Sequence, residues 1–135
     1  MLLIFSASTD VGSERRTSRF IGPFLRWLVP GIADATVDRV QYTVRKAGHV
    51  SEYAVLAALL WRALRRPAPG DRRPWSRRTA AGAVALAALY ACTDEYHQSF
   101  VATRYASALD VVIDSVGAAV GVALIWLAGR CRKRW

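Results

Sequence analysis

The sequence predicts an all-α protein that folds as a small polytopic bundle of membrane helices. Three observations support this fold class: 53% of the 135 residues are hydrophobic, they fall into three long blocks, and the net charge of +9 lies mainly between and after the blocks. The apolar content excludes a disordered chain, and two cysteines are too few for a secreted disulfide scaffold. A soluble nucleic-acid-binding domain would also be basic, but its hydrophobic residues would be periodic along each helix.

The N-terminal segment, residues 1–41, predicts interfacial helices. Phe20, Phe24 and Leu28 recur at helical spacing among several arginines, as in an amphipathic helix that lies in the membrane interface. We expect Gly22-Pro23 to interrupt this helix and Pro30-Gly31 to end it.

A further helix is predicted after this turn. Asp34 is a candidate N-cap, and Val37, Val40 and Val44 follow on one face. We expect this helix to be separate from the first membrane span.

The three apolar blocks predict three full transmembrane helices. They run from about Gly48 to Leu64, from about Thr79 to Phe100 and from about Ala106 to Gly129. Each approaches the roughly 20 residues that a bilayer requires if its polar ends lie in the interface.

The basic residues predict the orientation of these helices. Seven arginines and one acid lie between Arg62 and Arg78, and four basic residues follow Gly129. Because basic loops remain in the cytoplasm, the loop 65–78 and the tail 130–135 are predicted to be cytoplasmic in a multi-pass protein of the cell membrane. Both clusters flank spans and contain few aromatic residues, which argues against a nucleic-acid partner.

Seven ionisable residues lie where the predicted spans approach the outer leaflet. Such residues are costly inside a membrane and usually functional, so we predict that they form one site and treat them as catalytic candidates: His49, Glu52, Asp94, Glu95, His97, Asp110 and Asp114.

Side chains beside these acids predict substrate binding, since they would neutralise the carboxylates and hold an anionic group: Arg45, Lys46, Gln98 and Arg104. Helical spacing places Asp94 and Gln98 on one face, with Glu95 expected to pair with Gln98 or Ser99. The face of Asp110 and Asp114 continues to Gly117 and Gly121, which predicts close approach of another helix without implying a dimer.

Three interpretations of this cluster stay open: a catalytic or ligand-binding site, a metal site, and a buried network that only fixes helix packing. His49 with Glu52, and Asp94 with His97, each place two possible ligands on one helix face. No spacing is specific for a metal, so no cofactor is predicted, and a divalent metal is the least favoured interpretation. A nucleophile elbow and a glycine-rich phosphate loop are both absent from the sequence.

The polar motifs resemble the signatures of the VanZ-like membrane proteins. The first motif is Arg45-Lys46-Ala-Gly-His49-Val-Ser-Glu52-Tyr53, and the second is Thr93-Asp94-Glu95-Tyr-His97-Gln98-Ser-Phe100 followed by Arg104. The third is Asp110-x3-Asp114-x2-Gly117. The resemblance predicts a single VanZ-like membrane domain over residues 1–135, with its core signature at 42–121.

The resemblance implies a small integral membrane protein of the bacterial envelope. The family is named for an accessory protein linked to reduced teicoplanin susceptibility, which implies a role in glycopeptide resistance. Its usual member has four spans. Here the first helix would be truncated, with the apolar Met1–Phe5 as its last turn.

Two functional hypotheses follow. The chain is either an enzyme that modifies an envelope lipid or cell-wall precursor, or a non-catalytic binder or permeability factor whose polar network holds the helices together. In the enzyme, Glu95 and His97 would act as acid and base, with His49 and Asp94 as their partners. The expected partners are membrane lipids and a lipid-linked or glycopeptide ligand.

Overall fold

The computed structural model describes residues 14–67, 71, 73–100 and 107–133, with side chains given from Phe20 onward. Within this part of the chain the residues form four helices: α1 Glu14–Leu28, α2 Asp34–Arg65, α3 Arg77–Gln98 and α4 Ala108–Cys131. The predicted all-α class is therefore confirmed. Met1–Phe5 and Arg104 lie outside the described residues.

Helix α1 runs without a break through Gly22 and Pro23, so the predicted interruption is wrong. The proline removes one backbone donor, and the neighbouring Gly22 is buried where α1 packs against α2. A Cβ at Gly22 would lie 3.2 Å from Gln41 Nε2. The helix ends at Leu28, as predicted, before a turn in which Gly31 has φ +91°.

Helix α2 replaces two predicted elements with one. The segment from Asp34 and the first apolar block form a single helix of 32 residues, because nothing between them breaks the helix. Asp34 is not the N-cap: Ala33 holds that position without a side-chain bond, and Asp34 lies in the first turn. There it pairs with Arg26 of α1 at 2.7 Å.

The glycines of α4 allow it to pack backbone to backbone on α2. A Cβ at Gly117 would lie 2.6 Å from Val50 O, and one at Gly121 would lie 2.7 Å from Ala54 Cα. The predicted close approach is thus confirmed. Since residue numbers rise together along both helices, α2 and α4 run parallel.

Helix α3 completes the bundle and runs antiparallel to α2. The ring centroids of Tyr53 and Tyr90 lie 6.4 Å apart, and a Cβ at Gly82 would lie 3.6 Å from Leu64 Cδ1. Small residues fill much of the core between the three helices, together with Tyr53, Leu56, Trp61 and Val122: Ala57, Ala83, Ala87, Ala91 and Ala118.

This topology separates the two ends of the bundle by charge. The polar end comprises Lys46, His49, Asp94 to Gln98, Asp110 and Asp114. The basic end comprises Arg62 to Arg66, Arg73 to Arg78 and Arg130 to Lys133.

Among the described helices, α4 is the one long and apolar enough to cross a membrane, with a mean hydropathy of 2.2 in its best window. Three full transmembrane helices are therefore not confirmed. Polar and charged residues near the ends of α2 and α3 lower their hydropathy, and several of these residues belong to the predicted site.

Candidate functional site

The outermost contact of the polar end joins α2 to α4. The Lys46 ammonium donates a hydrogen bond to Asp110 Oδ1, and both side chains are about four-fifths buried. A charged hydrogen bond of this kind is stronger than a neutral one and holds the two helices in register.

One turn deeper, His49 faces Asp114. His49 Nδ1 lies 3.5 Å from Asp114 Oδ1, and the Asp114 side chain is 1% exposed. A carboxylate beside one ring nitrogen helps to orient the imidazole. The pair has the arrangement that general acid or base chemistry uses.

Helix α3 contributes a hydrogen-bonded pair to the same end. Gln98 Nε2 donates to Asp94 Oδ2 at 2.9 Å, and both residues are buried. The spacing of these two residues predicted this shared face.

Glu95 ties α3 to the start of α4. Its Oε2 accepts a hydrogen bond from the Ser107 backbone N–H at 2.8 Å, so the predicted pairing with Gln98 or Ser99 is wrong. Ser107 is the N-cap of α4, and its hydroxyl accepts a bond from Leu109 N. The backbone turn before α4 brings a donor to Glu95 that helical spacing along α3 could not predict.

Tyr53 belongs to this cluster although the sequence did not single it out as a site residue. It is fully buried, and its phenol lies within electrostatic range of Asp94, Glu95 and Asp114. Its position four residues after His49, on the same helix face, was the available signal. An apolar role is the usual expectation for a tyrosine at a helix interface.

Several buried polar atoms of the cluster have no hydrogen-bond partner among the described residues. They are Tyr53 Oη, Glu95 Oε1 and both carboxylate oxygens of Asp114. Unpaired buried polar groups are costly, and networks that serve packing alone normally satisfy them. The cluster therefore retains capacity to accept hydrogen bonds.

The remaining candidates lie at the margin of this cluster. Glu52 is exposed, and His97 is half-buried. Arg45 is half-buried with its guanidinium 5.8 Å from the centre of the Tyr42 ring. In the described part of the chain, no three His, Cys, Asp or Glu side chains are arranged to hold a metal ion.

Comparison with known families agrees with the motifs at this site. A family model described as VanZ/LLP1 matches residues 1–129. The comparisons with curated proteins and with solved structures gave no match. Together with the apolar α4, the family indicates a membrane protein. The chain belongs to the VanZ/LLP1 family.

Proposed function

We propose that the chain is a multi-pass membrane protein of the bacterial envelope, in which α2, α3 and α4 cross the bilayer. The distance between the polar and basic ends supports this. At 1.5 Å per residue, the two ends lie about 30 Å apart along each helix. This distance equals the thickness of a bilayer's hydrocarbon core.

The distribution of apolar side chains supports the same proposal. Small residues line the interior, whereas large aliphatic side chains point outward from all three helices. Val55 and Leu59 of α2, Leu89 of α3 and Leu124 of α4 are each more than half exposed. Small residues at helix contacts and large ones outside are typical of helices packed in lipid.

Helix α1 fits the interface between lipid and water. Phe20, Phe24 and Trp27 are each more than half exposed, although α1 packs against α2. Aromatic side chains of this kind anchor amphipathic helices in the head-group region.

In this arrangement the basic end lies in the cytoplasm and the polar end lies in the extracytoplasmic leaflet. The supporting observation is that the parallel course of α2 and α4 brings both basic clusters to one end of the bundle. Positive residues on one side of a bundle favour the cytoplasm for that side.

We infer that the polar end binds the polar head group of an envelope lipid or lipid-linked cell-wall precursor. One observation carries this inference: Glu95 Oε1, both carboxylate oxygens of Asp114 and the Tyr53 hydroxyl are buried and have no hydrogen-bond partner among the described residues. Ionised carboxylates only accept hydrogen bonds. The fitting ligand group is therefore rich in hydroxyl or amine donors, as sugar and amino-acid head groups are.

The His49–Asp114 pair gives this site a chemical capability. A histidine held by a carboxylate can take a proton from a bound hydroxyl and return it to a leaving group. On this basis His49 is the acid or base of the proposed site, and Asp114 is its positioning partner. Protection against glycopeptides such as teicoplanin would follow from a changed lipid or precursor in the envelope.

A second candidate function is a non-catalytic one, in which the polar network only holds the helices together. Two hydrogen-bonded pairs favour it, Lys46–Asp110 between two helices and Asp94–Gln98 within one. Neither pair has a buried polar atom that lacks a hydrogen-bond partner. The two candidates differ in what they predict for Asp114, whose oxygens make no hydrogen bond that holds the fold.

The test compares Asp114→Asn and Glu95→Gln with Asp38→Asn, a matched change at an exposed acid of α2. Each variant is expressed at equal membrane abundance, and the envelope lipids and lipid-linked precursors are profiled by mass spectrometry beside teicoplanin susceptibility. We expect Asp38→Asn to behave as wild type and the other two variants to behave as cells without the protein. Full activity in both site variants would contradict the proposal.

A further inference from the structure

At the basic end, a guanidinium joins the end of α2 to the segment before α3. The side chain of Arg65 is 7% exposed. It donates hydrogen bonds to Asp71 Oδ2 at 3.2 Å, to Pro74 O at 3.2 Å and to Arg73 O at 2.6 Å. These bonds fix the path of the chain between the two helices.

Arg73 completes this arrangement from the other side, and we call the hydrogen-bonded group of Arg65, Asp71 and Arg73 the clasp. Its guanidinium donates to both carboxylate oxygens of Asp71, at 3.0 and 2.9 Å, and to Arg65 O at 2.7 Å. The side-chain and backbone hydrogen bonds from Arg73 hold the pKa of Asp71 well below its usual range. Asp71 is thus ionised at neutral pH and fully engaged by the clasp.

The other arginines of this end have no acid in the nearby sequence to offset them. Asp71 is the single acid between Arg62 and Arg78, and no acid follows Asp114. Six arginines in or directly after three helices are exposed at this end, outside the clasp: Arg62, Arg66, Arg77, Arg78, Arg130 and Arg132.

Aromatic and aliphatic side chains border these charges. The Arg130 guanidinium lies 5.5 Å from the centre of the Trp126 ring, and Trp126 is 38% exposed. Leu64 and Leu127, each beside or within one turn of an exposed arginine, are 47% and 50% exposed. The surface therefore offers contacts for an anionic group and for hydrocarbon side by side.

We infer that the basic end binds anionic phospholipid head groups of the surrounding leaflet. An amphiphile satisfies both halves of the surface, because its phosphate meets the exposed guanidiniums and its acyl chains meet the leucines. Arginine binds phosphate oxygens in a bidentate fashion, and tryptophans are enriched at the depth of lipid head groups. A nucleic acid would leave the apolar half of this surface uncovered. The inference rests on the proposed membrane embedding and is independent of any ligand at the polar end.

The test titrates the purified protein in detergent with phosphatidylglycerol or phosphatidylcholine and counts bound lipids by native mass spectrometry. We expect phosphatidylglycerol to bind at least fivefold more tightly. Replacing both Arg77 and Arg78 by glutamine should reduce that preference to less than twofold, since each basic residue near a charged leaflet contributes about 1 kcal/mol, which is about fivefold in affinity. A second pair, Arg62→Gln with Arg130→Gln, should act in the same direction.

The matched control is Arg26→Gln with Arg39→Gln, which removes the same charge from the opposite part of the chain. It should leave the lipid preference within twofold of wild type. Equal binding of the two lipids would overturn the inference. So would an equal loss of preference in the control pair, or a short RNA that displaces phosphatidylglycerol at similar concentration.

Discussion

The two ends of the bundle use charge in opposite ways. At the basic end, arginines are exposed around one acid, and that acid is saturated by hydrogen bonds from the clasp. At the polar end, acids are buried between helices, and Glu95 Oε1 and both oxygens of Asp114 make no hydrogen bond within the described part of the chain. The difference indicates that the basic end faces solvent or lipid head groups, whereas the polar end contains hydrogen-bond acceptors that the fold itself does not use.

The largest expected effect on stability comes from the close contact between α2 and α4. Gly121→Ala places a Cβ 2.7 Å from Ala54 Cα, so α2 and α4 must separate. Because the obstacle is backbone, we expect a loss of about 3 kcal/mol in unfolding free energy, the upper part of the usual range for overpacking. Denaturant titration in bicelles, followed by circular dichroism, measures it.

Gly48→Ala is the matched control, since a Cβ at that position of α2 meets nothing within 4 Å. It should stabilise the helix by up to about 1 kcal/mol, because alanine is the better helix former. Equal losses for both variants would mean that the helices do not approach as closely as described.

The next effect tests whether the outermost pair of the polar end contributes to stability. Lys46→Met leaves the Asp110 carboxylate without its cation in a site that is about four-fifths buried. Removing one partner of a buried pair costs more than the pair itself contributes, and partial exposure limits the loss to about 1–2 kcal/mol. The same titration measures it.

Arg26→Met serves as its control, because it breaks the exposed pair with Asp34, whose side chains are 55% and 83% exposed. Exposed pairs contribute at most about 1 kcal/mol and often nothing measurable. A loss at Arg26 as large as that at Lys46 would contradict the contrast between buried and exposed charge.

The sequence predicts the helix packing better than it predicts the contacts of the site. The glycine spacing at 117 and 121 predicted close helix packing, and the spacing of Asp94 and Gln98 predicted their bond, since both follow from helix geometry alone. The bond from Ser107 N to Glu95 could not be predicted, because it depends on a turn outside either helix. Tyr53 was missed because its polar role depends on carboxylates from two other helices.

A smaller effect concerns the clasp at the basic end and depends on pH. Because hydrogen bonds from Arg73 lower the pKa of Asp71 in the folded protein, the clasp contributes stability above the unfolded pKa of about 4 and loses it as pH falls towards the folded value. Asp71→Asn should therefore lower the melting temperature at pH 7 and lower it less at pH 3. Asp38→Asn, an exposed acid on α2, controls for the change in charge. A pH-independent difference would contradict the role given to the clasp.

The smallest change in stability is expected for Asp114→Asn, measured as the free energy of unfolding in bicelles. If the polar end is a functional site, the variant should lie within about 1 kcal/mol of wild type, because neither oxygen of Asp114 makes a hydrogen bond within the described residues. The asparagine carbonyl can take the same position, 3.5 Å from His49 Nδ1. If the polar end is only a packing network, the variant should lose about 3 kcal/mol, as when a buried charge pair is broken. We predict the first result, and the second would contradict a functional site at the polar end.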